Sequence, residues 1–161
     1  MKFKTIIIGL ILAAAAVNAN ALENKADEFG LGFLLGEPTG LSLKYWIDDE
    51  RAIDGALAWA LSENDAFQLH SDYLIHNFEL SNSEQWPVYY GLGALLMFKD
   101  DAGRRHDNHE TVFGFRIPLG ISYLFEENTP YEFFFEIAPV LEVAPDVDLD
   151  FNASVGLRFY F

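Results

Sequence analysis

Residues 149–161 read LDFNASVGLRFYF. Leu149, Phe151, Ala153, Val155, Leu157, Phe159 and Phe161 alternate with Asp150, Asn152, Ser154, Gly156, Arg158 and Tyr160. One face is continuously apolar and the other is polar or small. Successive side chains of a strand point to opposite sides, so this pattern predicts a half-buried β-strand. Running from 149 to 161, it is longer than the roughly 3–10 residues usual for strands.

The same alternation recurs backwards along the chain. It predicts eight strands, at about 28–36, 40–47, 51–61, 67–79, 86–98, 111–124, 131–143 and 149–161. The breaks between them carry turn residues, as in Gly36-Glu37-Pro38-Thr39-Gly40, Asp48-Asp49-Glu50 and Ser81-Asn82-Ser83. The longest break, KDDAGRRHDNHE at 99–110, is almost wholly polar. No stretch of the mature chain approaches the eighteen or so apolar residues of a membrane helix. The expected fold is all-β, an eight-stranded antiparallel up-and-down barrel over residues 22–161.

Residues 1–21, MKFKTIIIGLILAAAAVNANA, read as an address. Lys2 and Lys4 precede an apolar run from Ile6 to Val17, and Ala19-Asn20-Ala21 is a small-x-small cleavage site. This is the pattern of a cleaved secretory signal peptide. As a helix the run would rise only about 18 Å, short of the roughly 30 Å hydrocarbon layer. The chain has no cysteine, which excludes a lipid-anchored lipoprotein, a disulfide framework, a thiolate zinc site and a cysteine nucleophile. The net charge of -15 argues against nucleic acid and against an anionic membrane surface as partners. The 16% aromatic content argues against disorder.

Alternation does not by itself say which face meets water. A soluble barrel turns its apolar face inward. A barrel in an outer membrane inverts this, with lipid outside and polar or small residues in the lumen. A tilted membrane strand needs about 9–11 residues, which most of these strands reach. With both termini in the periplasm, Tyr45, Trp46, Trp86, Tyr89, Tyr90, Tyr123, Tyr131 and Tyr160 fall near one rim, as an interfacial aromatic girdle requires. The same topology makes 99–110 an outward loop and Asp48–Glu50 and Glu126–Pro130 short periplasmic turns. The connection near Leu80–Gln85 is longer than that scheme prefers.

The inward face then holds Lys44, Asp54, Gln68, His70, Asp72, His76, Arg116, Glu132, Glu136, Asp150, Asn152 and Arg158. Charges in a narrow lumen must pair or be hydrated. Eight strands leave a bore just filled by side chains. Lys44, Asp54, His70, Asp72, Arg116, Glu136 and Arg158 are therefore expected to form a salt-bridge network that plugs the barrel. A narrow pore is the alternative. Only Leu34, Leu95 and Met97 suggest apolar inward positions, too few to define a ligand pocket. Pro118 and Pro139 fall inside strands, where proline cannot donate to a ladder. They sit at nearly opposed positions, which predicts a paired local break or bulge.

His70, Ser71 and Asp72 have the residue types of a hydrolase but not its geometry, because Ser71 points to the opposite face. Ser42, Ser122 and Ser154 are possible inward serines, but none can be placed against a histidine, so a lipid-modifying enzyme stands only as a further alternative. His106 and His109 lie in the outer loop among Asp100, Asp101, Asp107 and Glu110, a mixture that can bind transition metals. Arg104 and Arg105 would pair with those acids, so a solvated loop is the simpler reading. No catalytic residue, metal or cofactor is implied.

Leu157-Arg158-Phe159-Tyr160-Phe161 resembles the C-terminal signal of bacterial outer-membrane barrels, with Leu157, Phe159 and Phe161 on its apolar face. That resemblance implies recognition by the barrel-assembly machinery. In size and pattern the mature chain resembles the OmpA/OmpX class of eight-stranded barrels. The segments GEPTGLSLKYW, AIDGALAW and RIPLGISYLF resemble an uncharacterised family of small barrels. The resemblance implies a fold and a location in the outer membrane of a Gram-negative bacterium, but no activity. Outer-membrane lipid and the assembly machinery are the implied partners, and a structural or interaction role is expected. The competing expectation is a soluble periplasmic lipocalin-like barrel with an apolar, ligand-binding interior.

Overall fold

The structure, a computed structural model, describes residues 29–59, 67–100, 109–125 and 130–161. The expected signal peptide and most of the 99–110 loop lie outside the described residues. Nine antiparallel strands are formed: β1 Phe29–Glu37, β2 Thr39–Trp46, β3 Arg51–Trp59, β4 Phe67–Asn77, β5 Val88–Asp100, β6 His109–Arg116, β7 Leu119–Leu124, β8 Tyr131–Ala144 and β9 Asp148–Tyr160.

β6 and β7 are two halves of one strand. Gly93 opposes Arg116 before the break and Tyr90 opposes Leu119 after it, three residues on in each strand. On the other side Arg116 opposes Val140 and Leu119 opposes Ile137, again in one register. Only Ile117 and Pro118 leave the ladder. Across the break Gly91 N–H donates to the Pro118 carbonyl at 3.0 Å, and Ile117 N–H donates to the Pro139 carbonyl at 3.0 Å. Each pair has one bond where a regular antiparallel pair exchanges two, because proline brings no N–H. The two prolines thus concentrate the defect at one place. The sheet also carries a register shift at Phe113–Gly114, nearer the end of β6.

Counted this way there are eight strands, each paired with its sequence neighbours. β1 also pairs with β9, from Gly30 opposite Tyr160 to Glu37 opposite Ala153, which closes the ring. Closure leaves no free edge along the body of the sheet, the condition for any sheet whose surroundings cannot hydrogen-bond. Both ends of the described chain, Phe29 and Phe161, lie at the same rim, where Phe161 N–H donates to the Phe29 carbonyl at 3.1 Å.

The β2–β3 turn at this terminal rim is held by Asp48. Its Oδ1 accepts from the N–H groups of Glu50 at 3.1 Å and Arg51 at 2.8 Å. The Arg51 guanidinium hydrogen-bonded to Asp48 holds that carboxyl below its usual range. The β4–β5 connection at the same rim differs from expectation. It spans residues 78–87, because β4 stops at Asn77 and β5 starts at Val88. The segment is built by turn chemistry: Leu80 N–H donates to Asn77 Oδ1 at 2.9 Å, and Asn82 takes a positive φ of 50°. Leu124 N–H donates to the Gln85 carbonyl at 2.8 Å, fastening the segment to β7.

The two faces of the wall differ sharply. Phe33, Leu35, Leu92, Phe115, Phe133, Phe135, Leu157 and Phe159 point outward and are exposed. Lys44, Asp54, Asp72, Arg116, Glu132 and Arg158 point inward and are buried. A soluble barrel would have the opposite arrangement.

Candidate functional site

Register decides what meets inside the barrel. Lys44 opposes Asp54, Asp54 opposes Asp72, Asp72 opposes Gly93, and Gly93 opposes Arg116. One inward row across five strands therefore reads cation, carboxylate, carboxylate, glycine, cation. A second row runs Glu132, Arg158, Gly32 and Ser42. Large inward side chains repeatedly face a glycine on the neighbouring strand: Tyr160 opposite Gly30, Tyr89 opposite Gly120 and Phe134 opposite Gly156. A Cβ at any of these glycines would overlap the ring lying across it. The missing side chain is what lets an aromatic ring lie flat in a bore this narrow.

Glu132 on β8 is the hub. Its Oε1 accepts from Lys44 Nζ at 2.7 Å and from Ser122 Oγ at 2.5 Å. Its Oε2 accepts from Arg158 Nη1 at 3.2 Å and from the Tyr160 hydroxyl. Two donors on each oxygen satisfy the buried carboxylate. Arg158 also donates to Asp54 Oδ2 and, through Nε, to Ser42 Oγ at 2.8 Å. Its guanidinium lies 3.9 Å from the Phe134 ring centroid, a cation–π contact inside the lumen. Towards the terminal rim, Lys44 Nζ sits 2.9 Å from His76 Nε2 and 4.2 Å from the Trp46 ring centroid.

A second group lies beside the first. Arg116 Nη2 donates to Glu136 Oε1 at 2.5 Å, and the Tyr89 hydroxyl donates to Glu136 Oε2 at 3.1 Å. Arg116 Nε is 3.4 Å from Asp72 Oδ2, and His70 Nε2 is 4.0 Å from the same oxygen. All seven residues expected in the polar network thus lie buried in one lumen. Glu132, His76, Ser122, Tyr89 and Tyr160 join them, and Glu132 is the best-connected member. Asp150 is exposed near the opposite mouth and takes no part. There its Oδ1 accepts from Phe151 N–H at 2.7 Å.

Apolar inward residues are more numerous than the sequence suggested. Leu34, Leu74, Leu95, Met97, Val112, Phe134 and Val140 are all buried. Leu34, Leu95, Met97, Val112 and Val140 lie towards the rim away from the termini. Polar side chains are buried there as well, with Gln68 opposite Met97 and Asn152 opposite Ala138, so that part of the lumen is mixed.

The eight aromatics expected in one girdle divide by face. Tyr45, Trp86, Tyr90 and Tyr131 are exposed on the outside, and Tyr123 is half-buried. Tyr89 and Tyr160 point inward and are buried, and Trp46 is half-buried over Lys44 and His76. Each of these three is next in sequence to an outward residue, so alternation turns it into the lumen. Ring contacts run unbroken along the terminal rim through Trp86, Tyr123, Phe125, Tyr131, Phe159, Phe161 and Phe29, with centroid separations from 4.6 to 6.4 Å. The sequence pointed to this belt but missed its phenylalanines. Leu157, Phe159 and Phe161, expected to carry an assembly signal, lie exposed on the outer face of the last strand or just beyond it.

The closed ring, the apolar exterior and the charged interior define a β-barrel of the small outer-membrane type. Solved structures have the same fold. The N-terminal β-barrel domain of Pseudomonas aeruginosa OprF is similar at a TM-score of 0.67 and 12% identity, covering 85% of this chain and 100% of that one. Neisserial surface protein A is similar at a TM-score of 0.52 and 15% identity, covering 83% and 93%. No protein-family model matches the sequence, and no curated protein matches it.

Proposed function

We propose that this chain is a bacterial outer-membrane barrel with a structural or interaction role, its lumen plugged by the polar network. The carrying observation is the inversion of the wall: exposed leucines and phenylalanines outside, buried lysine, arginines and carboxylates inside. An apolar girdle of this kind costs free energy in water and is stabilising in lipid. The likeness to the β-barrel domain of OprF and to Neisserial surface protein A supports the location. The aromatic belt along the terminal rim supports an interface there, with the termini on the periplasmic side.

Two features support a plug over a pore. The polar layer is cross-linked from β2, β3, β4, β6, β8 and β9 towards the centre. Beyond it, Leu34, Leu95, Met97, Val112 and Val140 are also buried, with Met97 packed against Val112. The inward hydroxyls of Ser42 and Ser122 belong to the same network, held by Arg158 and Glu132. Outer-membrane lipid outside and the assembly machinery at the last strand are the partners this reading implies.

Bilayer recording tests the plug. Refolded protein, verified by a heat-dependent gel shift, should insert into planar bilayers without discrete conductance steps. Reproducible single-channel steps from folded protein would overturn the plug and make the lumen a pore.

A further inference from the structure

One part of the lumen is less settled than the rest. Asp54, His70 and Asp72 are all buried, and one ligating atom from each lies within 4.8 Å of the others. Asp54 and Asp72 are direct register partners on β3 and β4. Carboxylates facing one another across a ladder repel. Arg158 engages Asp54. Asp72 is 2% exposed, and neither of its oxygens accepts a hydrogen bond. Arg116 Nε forms an ion pair with it at 3.4 Å, without a hydrogen bond, while Nη2 of the same guanidinium donates to Glu136. Among the buried groups of this layer, Lys44, Arg116 and Arg158 face Asp54, Asp72, Glu132 and Glu136. Carboxylates outnumber these cations, and Asp72 is the one without a donor.

The geometry around Asp72 suits a ligand. Its side chain lies over Gly93, where a Cβ would overlap the carboxylate. His70 Nε2, 4.0 Å from Asp72 Oδ2, is too far for a hydrogen bond. Two ligands each about 2.1 Å from a tetrahedral ion stand about 3.4 Å apart, so binding would draw His70 and Asp72 together by roughly half an ångström. On the other side of the ring, the Gln68 amide nitrogen is 3.2 Å from Nδ1, and exchanging the amide's oxygen and nitrogen reverses that contact. With the amide oxygen turned to accept from Nδ1–H, the Nε2 lone pair faces Asp72. Ligating histidines are commonly oriented by such a partner on the second nitrogen.

We propose that Asp54, His70 and Asp72 bind a divalent transition-metal ion inside the barrel, tying β3 to β4. The proposal rests on the lumen reading above. Imidazole with carboxylates suits zinc or cobalt. Arg116 and Arg158 beside the site disfavour weakly held ions such as calcium. Packing on both sides of the layer means that the ion enters as the barrel closes. The sequence did not point here, because Asp54 comes from a different strand and only register brings it to His70 and Asp72.

The test is to refold the mature chain in detergent with cobalt(II) or zinc(II) present, desalt it, and measure bound metal and cobalt absorption. The gel shift verifies folding in every sample. The expected result is about one ion per folded chain, falling at least tenfold in His70→Gln and Asp72→Asn. A His106→Ala, His109→Ala double variant should keep its ion. Folded wild-type protein that retains no metal overturns the site and leaves the barrel reading intact. Metal that survives both lumen variants and is lost with the loop histidines also overturns it. Should neither lumen variant fold, X-ray absorption on zinc-loaded wild type decides. A shell with one histidine nitrogen and carboxylate oxygens supports the site, and an oxygen-only shell overturns it.

Discussion

At the scale of single residues, the lumen is governed by satisfaction of charge. Glu132 takes donors from Lys44, Arg158, Ser122 and Tyr160. Replacing it with alanine strands buried Lys44 and removes one of the two carboxylates that Arg158 engages. Glu132→Ala should cost about 3–5 kcal/mol, read as a lowered urea midpoint with unchanged slope in detergent micelles. Asp150→Ala, at the exposed mouth, should stay within about 0.5 kcal/mol. Equal effects would place Glu132 outside a packed network. Space is the second constraint. In Gly156→Ala the new methyl meets the Phe134 ring, whose face also receives Arg158. That overpacking should cost about 1–3 kcal/mol by the same measurement. The inward polar set was legible residue by residue, because period two sorts side chains by face. The inward turn of Tyr89 and Tyr160 was legible too. Adjacent residues of a strand cannot both face lipid, and grouping aromatics by height along the barrel ignored that parity. The apolar inward residues were not legible. In Leu92-Gly93-Ala94-Leu95-Leu96-Met97 both faces are apolar or small, so alternation carries no signal.

At the scale of elements, β9 gives the sharpest reading. Val155 sits on its outer face within the span paired to β1, whereas Leu149 lies beyond that pairing, near the far rim. Lysine at Val155 should cost about 2–4 kcal/mol, falling to about 0–1 for lysine at Leu149. Folding titrations into lipid vesicles would measure both. A uniform cost along the strand would contradict a membrane-depth gradient. The broken sixth strand makes a separate prediction. The amides of Gly91 and Ile117, each in a pair with a single bond, should exchange with deuterium faster than those of Leu95 and Val140. Equal protection would mean that the prolines do not weaken the wall. The sequence placed this defect through Pro118 and Pro139, and it placed most strand ends within two or three residues. It misjudged the β4–β5 connection, because Phe78 and Trp86 read as strand residues although Asn77, Ser81 and Ser83 turn the chain.

At the scale of the whole molecule, closure and inversion are one argument. The ring closes only through β1 and β9, segments from opposite ends of the chain, so local sequence cannot display it. The eight-strand count and the terminal Phe-Tyr-Phe implied it, and pairing supplies the geometry. Once the ring closes, period two leaves two faces with no other partners: a polar interior that must satisfy itself and an apolar exterior that needs lipid. The most direct test expresses the full chain in a Gram-negative host, isolates the outer membrane, and compares gel mobility before and after boiling. The account predicts an outer-membrane band whose mobility shifts on heating, as a closed, detergent-resistant barrel unfolds. A freely soluble periplasmic protein with no heat shift would contradict it, and would mean that the apolar face is turned away from lipid.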